Sequence, residues 1–197
     1  MKKQKSPTKL GIISVRELDP ATWKDFEKLF ERHGGVWGGC WCMYYHVANG
    51  WSKRTPKRNK TDKKALVRDG KAHGLLLYSN EDPVGWCQYG PPDELPRMDK
   101  KRRSYRRPKD FWRLTCFFVD KRYRKKGVAR LLLDAALMFM KARGVKMLEA
   151  YPIDTGKGKY SSSFLWPGTV QLFEAAGFRI VGRLGKSSRV ARKRLTH

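Results

Sequence analysis

Long apolar runs are absent from this 197-residue sequence, which argues against a segment that crosses a membrane. No run approaches the about 20 residues that a helix needs to span a bilayer. The basic start of the chain is not followed by the apolar core of a signal peptide either. We therefore expect a soluble, cytoplasmic protein.

Cysteine is scarce, and its spacing does not fit a disulfide-rich secreted scaffold. The four residues are Cys40, Cys42, Cys87 and Cys116, which a cytosol would keep reduced. Cys40, Cys42 and His46 differ from a structural zinc site, because Cys-x-Cys with one His lacks the usual Cys-x-x-Cys spacing and a fourth ligand. The sequence predicts no metal.

Acidic residues are few: 18 Asp and Glu stand against 44 Lys and Arg, which gives a formal net charge of +26. Such a surface attracts polyanions. The anion could be nucleic acid, an acidic membrane face or the phosphates of a nucleotide-like cofactor, and charge alone does not separate these. A basic surface that only keeps the protein soluble is an equally good interpretation.

Apolar residues are nonetheless frequent enough for a folded core. Hydrophobic residues make up 40% of the chain and aromatic residues 12%, which argues against wholesale disorder. The length suits one ordinary domain. We predict a basic leader over residues 1–9 and a single domain over residues 10–197, either monomeric or homodimeric.

The hydrophobic periodicity predicts alternating strands and helices, with at least one crossover βαβ unit. Strands are predicted at 10–18, 74–78, 84–89, 111–119, 145–152, 178–184 and 188–195. Helices are predicted between 19 and 34 and at 63–69, 127–143 and 169–176. The fold class is therefore α/β.

The strongest predicted strand joins the strongest predicted helix through a short basic turn. Small residues at the helix start, Gly127 and Ala129, would let a phosphate approach the free main-chain N–H groups and the positive end of the helix dipole. Arg124, Lys125 and Lys126 add positive charge. This turn predicts an anion-binding site.

The pattern Arg124-x-x-Gly127-x-Ala129 after a strand resembles the acyl-CoA pyrophosphate loop of the GNAT superfamily, Gln/Arg-x-x-Gly-x-Gly/Ala. Further family features follow in the expected order: the hairpin strand at 83–86, the strand at 117–119, and the last helix and strand at 172–178. The resemblance spans roughly Gly11 to Leu195. It implies a mixed, largely antiparallel twisted sheet flanked by helices, with a central βαβ acyl-CoA-binding unit.

The resemblance also implies an N-acetyltransferase that uses acetyl-CoA. In the family, an acceptor attacks the thioester directly in a ternary complex, and here the acceptor would be an amine of a small molecule or protein. The main chains of Phe117, Phe118 and Val119 would contact the acetyl and pantetheine groups. The pyrophosphate would be held by Arg124, Lys125, Lys126, Gly127, Val128 and Ala129.

Three features depart from the family pattern. Phe173 occupies the position where many relatives carry a tyrosine general acid, and Pro167-Gly168-Thr169 replaces an asparagine that often opens the last helix. The link at 154–166 is longer than usual and contains Tyr160, which could be a displaced acid. A simple surface insertion is an equal alternative.

Candidate proton acceptors are few. Glu149, on the strand after the main helix, is the first candidate base, because a half-buried carboxylate there could have a raised pKa and face the acceptor. Asp154 and His46 are alternatives. Cys116 could act as a nucleophile, but a cysteine next to this strand is more often part of the core.

The segment at 38–46 combines aromatic and sulfur side chains without a clear period. Trp41, Tyr44 and Tyr45 could form the wall of an acceptor pocket, because aromatic faces suit an amine cation. A small aromatic core beneath the sheet is the alternative.

A second function class follows from the charge. Basic blocks at 53–64, 97–109 and 183–194 could recognise phosphates, which would indicate a nucleic-acid-binding protein or an acetyltransferase directed at RNA such as a charged tRNA.

Overall fold

A computed structural model describes residues 9–101, 108–156, 158, 160, 161 and 164–195. The predicted basic leader lies outside this part of the chain except for Lys9, and the block at 97–109 lies outside it from 102 to 107. Within the described residues, no helix is long and apolar enough to cross a bilayer.

Seven strands form one sheet in the order β1-β2-β3-β4-β5-β7-β6. In chain order, the elements are β1 Ile13–Glu17, α1 Trp23–Glu31, α2 Pro56–Arg68, β2 His73–Ser79, β3 Asp82–Gly90, β4 Phe111–Val119, α3 Val128–Ala142, β5 Met147–Ala150, α4 Val170–Glu174, β6 Arg179–Arg183 and β7 Arg189–Arg194. Neighbouring strands are antiparallel except β4 and β5, which are parallel and are joined through α3. The predicted fold class, including its central βαβ unit, is confirmed.

The helix α2 begins at Pro56, well before the predicted start near Lys63. Thr55 caps it, since its hydroxyl accepts a hydrogen bond from the main-chain N–H of Arg58, and Pro56 suits the first turn. The buried face of α2 consists of Asn59, Lys63 and Val67. Two of these three residues are polar, so an apolar period could not reveal the helix.

The sheet is covered by helices on both faces. In β2, Leu75 and Leu77 pack in the core cluster that contains α3, while Leu76 and Tyr78 pack in the cluster that contains α1. A strand buried on both faces shows a continuous apolar run rather than alternation. The two faces therefore hold separate cores, with β2 and β3 between them.

The strands β4 and β5 separate early. They pair only from Phe111 to Leu114, which lies opposite Ala150. On its other side β4 pairs with β3, and the register shifts so that Thr115 has no partner of its own between Leu114 and Cys116. Such a bulge increases the local twist of a strand. Beyond it, β4 stays paired with β3 as far as Val119 but, among the described residues, has no strand on its β5 side, which leaves a gap there.

Truncating α3 on its buried face should destabilise the protein far more than truncating its exposed face. Leu132 is 0% exposed, whereas its neighbour Leu131 is 38% exposed. We expect Leu132→Ala to lower the free energy of unfolding by about 2–5 kcal/mol, and Leu131→Ala by less than about 1 kcal/mol. Urea unfolding of both variants measures this, and equal losses would contradict the orientation of α3.

Candidate active site

A cleft of about 1510 Å³ occupies the gap where β4 leaves β5. One end lies at the start of α3, beside Gly127 and Val128. The cleft follows Phe117, Phe118 and Val119 along β4 and reaches Cys116 next to the bulge, which we call its inner end. Tyr160 and residues between 164 and 172 form much of the opposite wall.

The α3 end of the cleft is built for an anion. Gly127 is the N-cap of α3 and has φ 78°, a left-handed conformation that glycine adopts without strain. In the described part of the chain, the main-chain N–H groups of residues 125–129 have no main-chain acceptor. A Cβ atom at Gly127 would meet no protein atom within 4 Å, so a ligand can approach the main chain closely.

The basic side chains of this turn do not all face the cleft. Arg124 and Lys125 line it, and so does Lys121. Lys126 is absent from its walls, and its Nζ atom lies 5.6 Å from the centre of the Tyr123 ring. The structure thus brings two of the three predicted basic side chains to the cleft, while Lys126 can contribute only its main chain.

Asp120 fixes the start of the basic turn. Its carboxylate accepts hydrogen bonds from the main-chain N–H of Arg122 at 2.9 Å and from the Arg122 guanidinium at 2.8 Å. Burial alone would raise the pKa of Asp120, but the hydrogen bonds from Arg122 lower it to about 2. Asp120 is therefore charged at neutral pH and ties the turn to the end of β4.

Main-chain groups of β4 alternate between the cleft and β3. The N–H of Asp120 donates to Val84 O in β3 at 2.9 Å, while the N–H of Phe117 donates across the gap to Trp166 O at 2.7 Å. Neighbouring residues of a strand point their N–H groups in opposite directions. The N–H of Val119 therefore faces the cleft, as that of Phe117 does. Phe118 directs its N–H to β3, so only its side chain lines the cleft.

The inner end of the cleft is aromatic and adjoins a second cavity of about 540 Å³. The Trp166 ring lies edge-on to Tyr44 at 5.8 Å and to Tyr45 at 5.6 Å between ring centroids. Both cavities are lined by Tyr44, Tyr45, Tyr160, Phe164 and Trp166. No Asp or Glu lines either cavity among the described residues.

The structure does not bring Trp41 to this aromatic wall. Its ring is stacked on Phe30 at 5.8 Å and packs in the core beneath α1. Trp41 has φ 46° and Cys42 has φ 53°, so the chain reverses direction here and separates the tryptophan from the two tyrosines that follow. Of the predicted acceptor-pocket residues, Tyr44 and Tyr45 therefore lie at the cleft.

Glu149 is fully buried rather than half-buried. One carboxylate oxygen accepts a hydrogen bond from the Tyr151 hydroxyl at 2.7 Å, and the other accepts one from Arg192 Nε at 2.9 Å. Tyr151, and not Glu149, lines the second cavity. The sequence analysis missed Tyr151, although the two-residue period of a strand places it on the same face as Glu149.

The other acid–base candidates are distributed as follows. Tyr160 is 38% exposed, and its hydroxyl donates to Ser187 Oγ at 3.0 Å. Asp154 forms an ion pair with Arg189. Phe173, at the family's usual tyrosine position, is buried in the core against Phe178. Tyr160 is therefore the candidate acid that lines the cleft.

The sulfur-containing segment lies close to the inner end. Cys40, Cys42 and Cys116 all line the cleft, whereas Cys87 is buried on the other face of the sheet. His46 is partly buried, and its desolvation lowers the pKa of its ring well below the usual value. Among the described residues, no group of three or more His, Cys, Asp or Glu could hold a metal ion.

Comparison with known proteins identifies the fold and the family. The model of the acetyltransferase (GNAT) family matches residues 23–157, and curated protein sequences gave no match. PaiA N-acetyltransferase from Thermoplasma acidophilum, solved in complex with coenzyme A, is 15% identical with a TM-score of 0.56 over 93% of this chain and 99% of its own.

Two further solved structures are similar over nearly their whole length. Ribosomal-protein-S5-alanine acetyltransferase from Vibrio fischeri is 15% identical with a TM-score of 0.55, over 96% of this chain and 97% of its own. YncA from Salmonella typhimurium, solved with acetyl-CoA, is 15% identical with a TM-score of 0.53, over 93% and 94%. At these identities the likeness establishes a shared fold.

Proposed function

Because the chain belongs to the GNAT acetyltransferase family, we propose that it transfers an acetyl group from acetyl-CoA to an amine of a small molecule or protein, by direct attack in a ternary complex. One observation carries this proposal. The unpaired N–H groups at the start of α3 and the edge of β4 that has no neighbouring strand face a single cleft.

The acyl donor would lie along β4. Its pyrophosphate would accept hydrogen bonds from the main-chain N–H groups of residues 125–129, with Arg124 and Lys125 supplying positive charge. A donor carbonyl would compete with Trp166 O for the N–H of Phe117. An N–H aimed at the thioester oxygen stabilises the negative charge that develops there during attack.

The acceptor would enter through the aromatic end of the cleft. Since no described carboxylate lines either cavity, the rings of Tyr45 and Trp166 are the groups that would face an ammonium ion, together with the face of Tyr44 that the Arg97 guanidinium does not cover. An ammonium ion over an aromatic face is attracted by the electron-rich ring. This arrangement favours amines on apolar or aromatic molecules.

Proton transfer would use residues next to the second cavity. Tyr151 lines this cavity and its hydroxyl donates to the carboxylate of Glu149, so Glu149 would receive the acceptor's proton through Tyr151. Tyr160 would protonate the departing thiolate of CoA. Because an ordinary thiol has a pKa of about 8.5, this thiolate can also leave without a proton donor.

Replacing Gly127 with Val should weaken acetyl-CoA binding at least about tenfold, because the added side chain occupies the space beside the free N–H groups. Gly144→Val is the matched control. Gly144 follows the other end of α3 and has φ 75°, and a Cβ atom added there would also meet no protein atom within 4 Å, so backbone strain is comparable. Calorimetric titration with acetyl-CoA measures both variants, and equal affinities would contradict the placement of the pyrophosphate.

Replacing Glu149 with Gln should lower kcat by about 10²-fold while leaving acetyl-CoA affinity unchanged, because a proton acceptor is lost but the donor site is not. Tyr160→Phe should lower kcat about tenfold. Glu174→Gln, at an exposed carboxylate on α4, is the control and should leave kcat unchanged. CoA release with an amine acceptor is measured, and a Glu149→Gln enzyme as fast as the wild type would contradict the role of this residue.

A further inference from the structure

A buried cluster of thiols and one lysine lies at the inner end of the cleft, and the proposed acetyl transfer does not use it. Cys42 comes from the loop before α2, Cys116 from β4, and Lys63 from the buried face of α2. Both cysteines line the cleft. The side chain of Lys63 is fully buried.

Lys63 lacks a carboxylate partner. Its Nζ atom donates to His46 Nε2 at 3.0 Å, and no Asp or Glu forms an ion pair with it among the described residues. Gln88 Nε2 donates to the same ring nitrogen at 2.9 Å, so the proton of His46 is on Nδ1, which donates to Glu94 O at 2.8 Å. His46 is thus neutral and cannot balance a buried ammonium.

Burial lowers the pKa of Lys63, while the negative charge of Cys42, followed by those of Cys116, Cys40 and Glu94, raises it, so Cys42 is the strongest of its anionic neighbours. The Sγ atom of Cys42 accepts a hydrogen bond from Trp86 Nε1 at 3.1 Å. Cys116 lies directly opposite Gln88 in the register of β3 and β4, and the Gln88 side chain donates to Cys42 O at 2.9 Å, so the two cysteines are neighbours across Gln88. When protonated, the sulfur of Cys42 can donate to Gln88 Oε1 at 3.3 Å. Burial alone would raise the pKa of Cys42, but the Cys116 hydrogen bond, the charge of Lys63 and the Trp86 N–H together lower it. The Cys116 hydrogen bond, with burial, raises the pKa of Cys116 well above its usual value.

The two thiols therefore differ in character: the surroundings of Cys42 favour its thiolate form, whereas those of Cys116 favour its protonated form. The charge of Lys63 acts on Cys42, and the negative charge of Cys42 in turn helps to raise the pKa of four neighbouring groups, which are Cys40, Tyr45, Cys87 and Cys116. A thiolate next to a second thiol is the usual composition of a peroxide-sensitive pair.

We propose that Cys42 and Cys116 form a dithiol site that reacts with a small peroxide entering through the cleft. The Cys42 thiolate attacks one peroxide oxygen, the O–O bond breaks, and the products are a sulfenic acid and, after protonation, water. The thiol of Cys116 then attacks this sulfur, the S–O bond breaks, and a disulfide and a second water form. Two thiols are oxidised and one peroxide is reduced.

The disulfide has a consequence for the acyl donor. Cys116 directly precedes Phe117, whose N–H faces the cleft, so the cross-link ties β4 to the loop that carries Cys42 at the inner end. We expect this to weaken acetyl-CoA binding. The consequence rests on the proposed function, whereas the disulfide itself does not.

Hydrogen peroxide added to the reduced full-length protein tests the site directly. Intact mass and peptide mapping should show the loss of two hydrogen atoms and a Cys42–Cys116 disulfide that dithiothreitol reverses. Cys40→Ser is the matched control and should form the same disulfide. A Cys40–Cys42 disulfide, oxidation of Cys42 beyond sulfenic acid without a disulfide, or no reaction would each overturn the proposal.

The role of Lys63 has its own test. Alkylation of Cys42 by iodoacetamide, followed across pH, should reach half its maximal rate below the ordinary thiol value of about 8.5, and Lys63→Met should move that midpoint upward by at least about one pH unit. If the alkylation midpoint of the wild-type protein lies at or above the ordinary thiol value, the pairing of Lys63 with a Cys42 thiolate is overturned. This result needs only the wild-type protein and holds even if Lys63→Met does not fold.

Donor binding separates this proposal from the proposed function. If the reduced protein binds acetyl-CoA and the oxidised protein binds it less tightly, both the dithiol site and the proposed function are supported. A disulfide that leaves the affinity unchanged overturns the consequence for the donor. Reduced protein that does not bind acetyl-CoA overturns the proposed function and leaves the dithiol site standing.

Discussion

The early end of the pairing between β4 and β5 is the constraint on which the whole site depends. Their ladder stops at Leu114, and the bulge at Thr115 twists the rest of β4 away. The N–H of Phe117 consequently faces a gap instead of a neighbouring strand. β4 leads through the turn fixed by Asp120 to the start of α3. The edge of β4 that has no neighbouring strand and the N-terminus of α3 therefore lie in one cleft. The proposed donor site and the thiol pair are two ends of this gap.

Local patterns were enough to predict the donor end of the site. A strongly apolar strand, a basic turn, Gly127 and an amphipathic helix are consecutive in the chain, and each has its own signal. The aromatic and thiol end could not be predicted in this way, because it is assembled from separate segments. Nothing in the basic run around Lys63 shows that this lysine is buried, and Trp41 lies in the core only because the chain reverses just after α1.

Several basic residues of the charged blocks form ion pairs within the protein, which leaves the net charge of +26 unchanged. Lys60 forms ion pairs with Glu27 and Glu31, and Arg54 pairs with Asp62, all within or against the block at 53–64. In the block at 183–194, Arg189 and Arg192 pair with Asp154 and Glu149. These contacts account for several basic residues without a polyanion. A nucleic-acid interface stays a prediction, and part of the block at 97–109 lies outside the described residues.

The most direct test of the acetyltransferase assignment is a calorimetric titration of the protein with acetyl-CoA, free CoA and ATP at moderate salt. The cleft combines the proposed pyrophosphate site at the start of α3 with an edge of β4 along which the pantetheine arm would lie. We therefore expect micromolar binding of both CoA species and much weaker binding of ATP. Equal, weak binding of all three would show that the basic surface attracts phosphates without a donor site, and would contradict the account.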